Sequence, residues 1–141
     1  VTLYLPDTNI WSRFLRGHPD DVAVRLRVER ELPLCRLSAI ALMELEYGAA
    51  KRPDIPVYRE RVLNLIALFP RVEPFDSLCA HHAGVVRATL ANLKPNAQPV
   101  GHYDALLAGQ AIALGAVFVT DNLAEFRRIP GLRCENWRAR T

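Results

Sequence analysis

The stretch Ala116-Val117-Phe118-Val119-Thr120-Asp121 puts four apolar residues in a row and ends on a carboxylate. A short run of this kind, rich in β-branched and aromatic side chains, reads as a strand over residues 116–120 buried on both faces. Upstream, residues 103–114 form an Ala/Leu-rich segment that predicts a helix, and Gly115 supplies its stop. The N-terminus repeats the pattern. Leu3-Tyr-Leu-Pro-Asp7 is a second short apolar run that ends on an acid. The helix predicted after it, residues 8–16, carries Ile10, Trp11, Phe14 and Leu15 at helical spacing and stops at Gly17. Pro6 removes a ladder donor, which a strand tolerates at its last turn or where the missing N–H faces no partner.

Working outward from these two strands, the spacing predicts a charge-rich helix over 20–31 and a strand over 34–37. Ser38 caps a helix to about residue 50. Further helices are expected over 57–69 and, capped by Asp76, to about residue 93, with a brief strand at 71–74 between them. A short helix over 123–128 and an edge strand over 132–135 close the chain. The Pro-bearing stretches 52–56 and 94–99 read as loops. Alternating strands and helices imply an α/β layer arrangement around a parallel sheet. The length fits one domain, residues 1–141.

Composition narrows the function classes. Half the residues are hydrophobic and 23% are charged, which argues against disorder. No apolar run is long enough to span a bilayer, and Asp7 and Asn9 interrupt the only early apolar stretch, against a signal peptide. Cys35, Cys79 and Cys134 are scattered singly, so structural thiols in a reducing cytoplasm are expected rather than a disulfide framework or a zinc site. The net charge is +3, and the cations are 16 Arg against 2 Lys. Arginine pairs with phosphate in a planar two-point geometry, so the balance suits a polyanionic partner.

The acids carry the chemistry. Asp7 and Asp121 end the two strands, and neighbouring parallel strands place both at one sheet edge, where ligands sit in such folds. Glu44 and Asp104 lie in otherwise apolar helical segments, where a lone acid is costly unless paired or bound to a metal. Taken one at a time, each acid is as well read as a helix cap or a surface charge; Asp7 and Asp104 each stand where a cap belongs. Brought together, four carboxylates repel one another, and a hard divalent ion, Mg²⁺ or Mn²⁺, relieves that repulsion. Such an ion suits hydrolysis of a phosphodiester.

The motifs resemble those of the PIN-domain nucleases. Leu5-Pro-Asp7-Thr8-Asn9-Ile10 is similar to their first motif, Leu37-Ser38-Ala39-Ile40 with Glu44-Leu45 and Tyr47-Gly48 to the second, Tyr103-Asp104-Ala105-Leu106-Leu107-Ala108 to the third, and Val117-Phe118-Val119-Thr120-Asp121-Asn122 with Glu125-Phe126 to the fourth. The closing segment Ile129 to Trp137 resembles one branch, the VapC toxins of VapBC toxin–antitoxin pairs. The resemblance implies a three-layer α/β/α sandwich with a central parallel sheet and a Mg²⁺- or Mn²⁺-dependent endoribonuclease. It puts Asp7, Glu44 and Asp104 on the main metal-binding positions and Asp121 on a fourth, more variable one. Thr8, Asn9, Thr120 and Asn122 fall where polar groups orient those carboxylates. It also implies a homodimer and a cognate antitoxin, and the lack of a spanning apolar run leaves no membrane partner expected. Pro6 departs from the usual aliphatic residue, and Gly101-His102 stands where Gly-Pro is common.

An RNA path needs cations, for which Arg13, Arg16, Arg127 and Arg128 are candidates, and Trp11 offers a stacking surface unless it packs in the core. Trp11, Phe14 and Leu15 are also candidates for antitoxin docking. Two other readings compete. A phosphate-handling haloacid dehalogenase or receiver domain wants a second Asp at position 9, where Asn9 stands, or a late-strand lysine, which neither Lys51 nor Lys94 supplies. A catalytically silent RNA- or partner-binding module would be marked by missing acids, and all four are present.

Overall fold

The structure is a computed structural model and describes residues 1–93 and 101–138. The loop expected at 94–99 lies outside the described residues. Among the described residues, three parallel strands, β1 (Tyr4–Pro6), β2 (Val117–Val119) and β3 (Cys134–Glu135), pair in the order β1-β2-β3. Among the described residues, seven α-helices flank them: α1 (Thr8–Arg16), α2 (Val22–Glu31), α3 (Ala39–Lys51), α4 (Pro56–Ala67), α5 (Ser77–Asn92), α6 (His102–Leu114) and α7 (Leu123–Phe126). This is the expected three-layer α/β/α sandwich. Its core is formed around the fully buried Leu5, Ile10, Trp11, Leu37, Leu107 and Phe118. Trp11 is therefore a core residue, edge-on to Phe14 and Phe69, and not a base-stacking surface.

Two predicted strands are reduced to isolated bridges, and the strand expected at 132–135 shortens to Cys134–Glu135. The segment 34–37 pairs only through a bridge of Cys35 to Tyr4, because Leu32–Leu34 is a 3-10 helix. The segment 71–74 pairs only through Glu73 to Ser38. Pro6 supplies a reason for the first. The Asp7 amide donates to the Val119 carbonyl at 2.9 Å, toward β2. Successive amides alternate sides, so position 6 faces the Cys35 segment, where proline has no hydrogen to give. Arg36 N donates to the Tyr4 carbonyl, and the ladder goes no further along β1 from there. The expected helix at 20–31 also begins differently, with Pro19–Asp21 in a 3-10 turn before α2.

The helix stops are where sequence places them. Gly17 and Gly115 take φ of 65° and 66°, a left-handed cap that costs a side-chain-bearing residue about 1 kcal/mol or more. Gln110, fully buried on α6, bonds the Ser38 hydroxyl and donates to the carbonyls of Glu73 (3.2 Å) and Pro74 (3.0 Å). It ties α6 to the short pairing beside α3, which fixes the two helices that carry Asp104 and Glu44 against each other.

Candidate active site

Asp7 follows β1 directly and caps α1. Its Oδ1 accepts from the Ile10 amide at 3.0 Å, and its side chain is 2% exposed. Burial is the main cause that pushes its carboxyl up to about 7, and the nearby Asp104 and Asp121 push the same way; hydrogen bonds from the Ile10 amide and the Thr120 hydroxyl oppose them. Asp121 stands two residues beyond β2 on the same sheet edge. Asp104 lies in the first turn of α6, half-buried, and its carboxyl is raised by burial and then by the charge of Glu44. Glu44 projects from the middle of α3 and accepts from the Thr8 hydroxyl. The four acids thus come from four separate elements, and each of the two raised carboxyls is pushed up by others of the set.

The polar neighbours divide. Thr8 holds Glu44. Thr120 bonds Asp7 and accepts from the Asn122 amide at 3.1 Å, so the turn after β2 is fixed around the acids. Asn9 is exposed, with no side-chain hydrogen bond to an acid among the described residues. Asp121 is 24% exposed, and its two oxygens differ. Oδ2 faces Arg13 Nε at 3.5 Å and Arg138 Nη1 at 3.4 Å, while Oδ1 is buried with no hydrogen-bond partner among the described residues.

The arginines also sort themselves. Arg13 and Arg16 grip the buried Asp21 at 3.0 and 3.1 Å. Arg128 reaches the Leu93 carbonyl and pairs with Glu125, and Arg127 is exposed. His102 is exposed at the start of α6. Asp21 is the residue that sequence reading missed. Its only signal is position, one turn past a helix bearing two arginines on one face. A groove of about 310 Å³ beside Glu44 is lined by Ser12, Arg16, Gly48 and Tyr58 among others.

Among the described residues, no three His, Cys, Asp or Glu side chains stand as a ready-formed ligand group. Thr8 and the two arginines occupy oxygens of Glu44 and Asp121. The donor set nonetheless fits a hard divalent cation. It is all oxygen, two of its carboxyls are raised by burial and mutual repulsion, and one buried carboxylate oxygen lacks a partner. The cysteines are unpaired, and burial pushes the Cys35 thiol up to about 12 and that of Cys134 to about 11, so neither is a ready thiolate.

A small parallel sheet with carboxylates gathered at the ends of its strands is the plan of a PIN domain, and the PIN domain family model matches residues 4–132. The chain belongs to the PIN domain family. Within it, the chain is similar to ribonucleases named VapC. It is 39% identical to the tRNA(fMet)-specific endonuclease VapC of Salmonella typhimurium over 137 residues, covering 95% of this chain and 97% of that protein. It is 32% identical to ribonuclease VapC2 of Rickettsia felis, covering 96% and 98%. Among solved structures, DNA-bound VapBC from Salmonella typhimurium superposes with a TM-score of 0.81 at 36% identity, covering 97% of this chain and 99% of that one. Among the described residues, no helix is long and apolar enough to cross a membrane.

Proposed function

We propose that the chain is the ribonuclease toxin of a toxin–antitoxin pair, a metal-dependent endoribonuclease acting in the cytoplasm. The observation that supports this reading is the electrostatic coupling of Asp7 to Asp104 and Asp121 and of Asp104 to Glu44, in a family whose similar members are named as ribonucleases. These four acids would hold Mg²⁺ or Mn²⁺, which supplies charge neutralisation at the scissile phosphate and a more acidic attacking water. Asp7 contributes a carboxylate whose direction is fixed by the Ile10 amide and the Thr120 hydroxyl. Thr8 orients Glu44. Arg127 and Arg128 stand on the surface after β2, where RNA phosphates would pass.

The partners follow from the same reading. A cognate antitoxin is supported by the VapBC complex among the solved relatives. A homodimer is supported by Leu78 and Val85, both exposed and two turns apart on α5. The Salmonella relative makes tRNA(fMet) the first RNA to test.

Expression of the chain without its antitoxin is expected to arrest growth of a bacterial host, and expression of Asp104→Asn is not. Unimpeded growth with folded wild-type protein present would contradict the toxin reading.

A further inference from the structure

Asp21 and Arg13 form a connection that the four acids alone do not explain. Asp21 is 3% exposed in the Pro19–Asp21 turn and carries no part of the proposed chemistry. Burial works to raise its carboxyl, but hydrogen bonds and charge from Arg13 and Arg16 outweigh that and hold it below the usual range. Its two oxygens are divided between the two arginines, Oδ1 to Arg13 Nη1 and Oδ2 to Arg16 Nη2. Arg16 lines the groove beside Glu44, but its ion pair is with Asp21. Arg13 turns its Nε toward Asp121 Oδ2 at 3.5 Å.

Two buried atoms on this pair lack hydrogen bonds, Arg13 Nε and Asp121 Oδ1. Nε meets Asp121 Oδ2 as an ion pair at 3.5 Å without a hydrogen bond, while the other end of the guanidinium is hydrogen-bonded to Asp21 at 3.0 Å. Arg13 and Arg138 both lie against Oδ2, which leaves Oδ1 as the oxygen free to face a cation.

We propose that Arg13 is a positioning residue rather than an RNA contact. Anchored by Asp21, it holds one oxygen of Asp121 so that the other is presented to the divalent ion. This rests on the reading of the four acids as cation ligands. It makes a prediction opposite in sign to simple charge counting. By Coulomb attraction alone, removing a positive charge beside four acids should strengthen cation binding. If Arg13 orients Asp121, removing it weakens binding, and outer partners of metal ligands typically matter by roughly 10–100-fold.

The test is calorimetric titration of the purified, metal-free full chain with Mn²⁺ alone, with the metal-free Tm recorded for each variant. Arg13→Gln and Asp21→Asn are each expected to weaken Mn²⁺ binding by about tenfold or more. Because Asp21 acts through Arg13, the double variant should be no weaker than the Arg13 variant. Arg52→Gln, which removes an exposed positive charge paired with Asp54 and away from the acids, should leave Mn²⁺ affinity within about twofold of wild type. Should Arg13→Gln fail to fold, Arg13→Lys carries the test. It keeps the charge but lacks the two-pronged reach, and it too is expected to lose affinity. Unchanged or tighter Mn²⁺ binding in a folded Arg13 variant would overturn the proposal. Absence of Mn²⁺ binding by the wild type is a different result, and it would overturn the cation reading of the acids itself.

Discussion

Asp7→Asn is expected to cut RNA cleavage by roughly a thousandfold, the equivalent of about 4 kcal/mol in the barrier. The same change should make the metal-free protein more stable above neutral pH. Both effects come from one carboxylate. The folded protein raises the Asp7 carboxyl from 3.8 to about 7, through burial first and then through Asp104 and Asp121. A raised carboxyl means that the folded state holds the proton more tightly than the unfolded one. That contribution to stability is fully present below about pH 4 and is lost as pH rises through about 7, by up to about 1.4 kcal/mol per unit. Asparagine removes the charge while remaining an N-cap of equal quality for α1. Urea unfolding in EDTA at pH 5 and pH 8 checks the point. Wild type should lose stability between the two values, and the variant should lose less, with Asp104 supplying the remainder. Equal slopes would show that Asp7 is not a strained carboxylate.

Gly109→Ala should destabilise the fold by about 2 kcal/mol, although alanine is the better helix former. A Cβ at Gly109 would lie 2.4 Å from the backbone N and Cα of Ala83, so α5 and α6 meet there backbone to backbone with no room for a methyl. Overpacking of this kind costs about 1–3 kcal/mol, and the upper end applies because the obstructing atoms belong to a helix backbone. Helix propensity returns about 1 kcal/mol, which leaves a net loss. The change also bears on the site. α6 carries Asp104 at its start and the Gln110 clamp one residue beyond Gly109. A displaced α6 moves Asp104 relative to Glu44, so cleavage should fall along with Tm. A variant as stable as wild type would mean that the two helices separate freely, and the placement of Asp104 would then need another support.

Much of this architecture could be read from the chain because its signals are local. Residues 116–121 give strand and acid in six letters, and Gly17 and Gly115 mark helix ends through backbone conformation alone. The four acids stood out because two end apolar strands and two interrupt apolar helices. What could not be read depends on distant partners. Asp20-Asp21 reads as the exposed start of a charge-rich helix, and the pairing of Asp21 with Arg13 and Arg16 on α1 is visible only in the fold. Gln110 is one polar residue in an Ala/Leu run, and its partners are 36 and 37 residues away, or 72 at Ser38. The segment 34–37 has strand-like residues, but its ladder ends where Pro6 has no donor to offer, a fact that belongs to the other strand. Arg13 was legible as a cation and not as a strut, because the difference lies in what holds its guanidinium.

The most direct test of the account is cleavage of total RNA, with tRNA(fMet) alongside, by the purified chain in Mg²⁺, in Mn²⁺ and in EDTA. Four acids that act only through a shared cation predict endonucleolytic products with either metal and none in EDTA. Equal cleavage in EDTA would contradict the account, because the acids would then be a cluster that the reaction does not use.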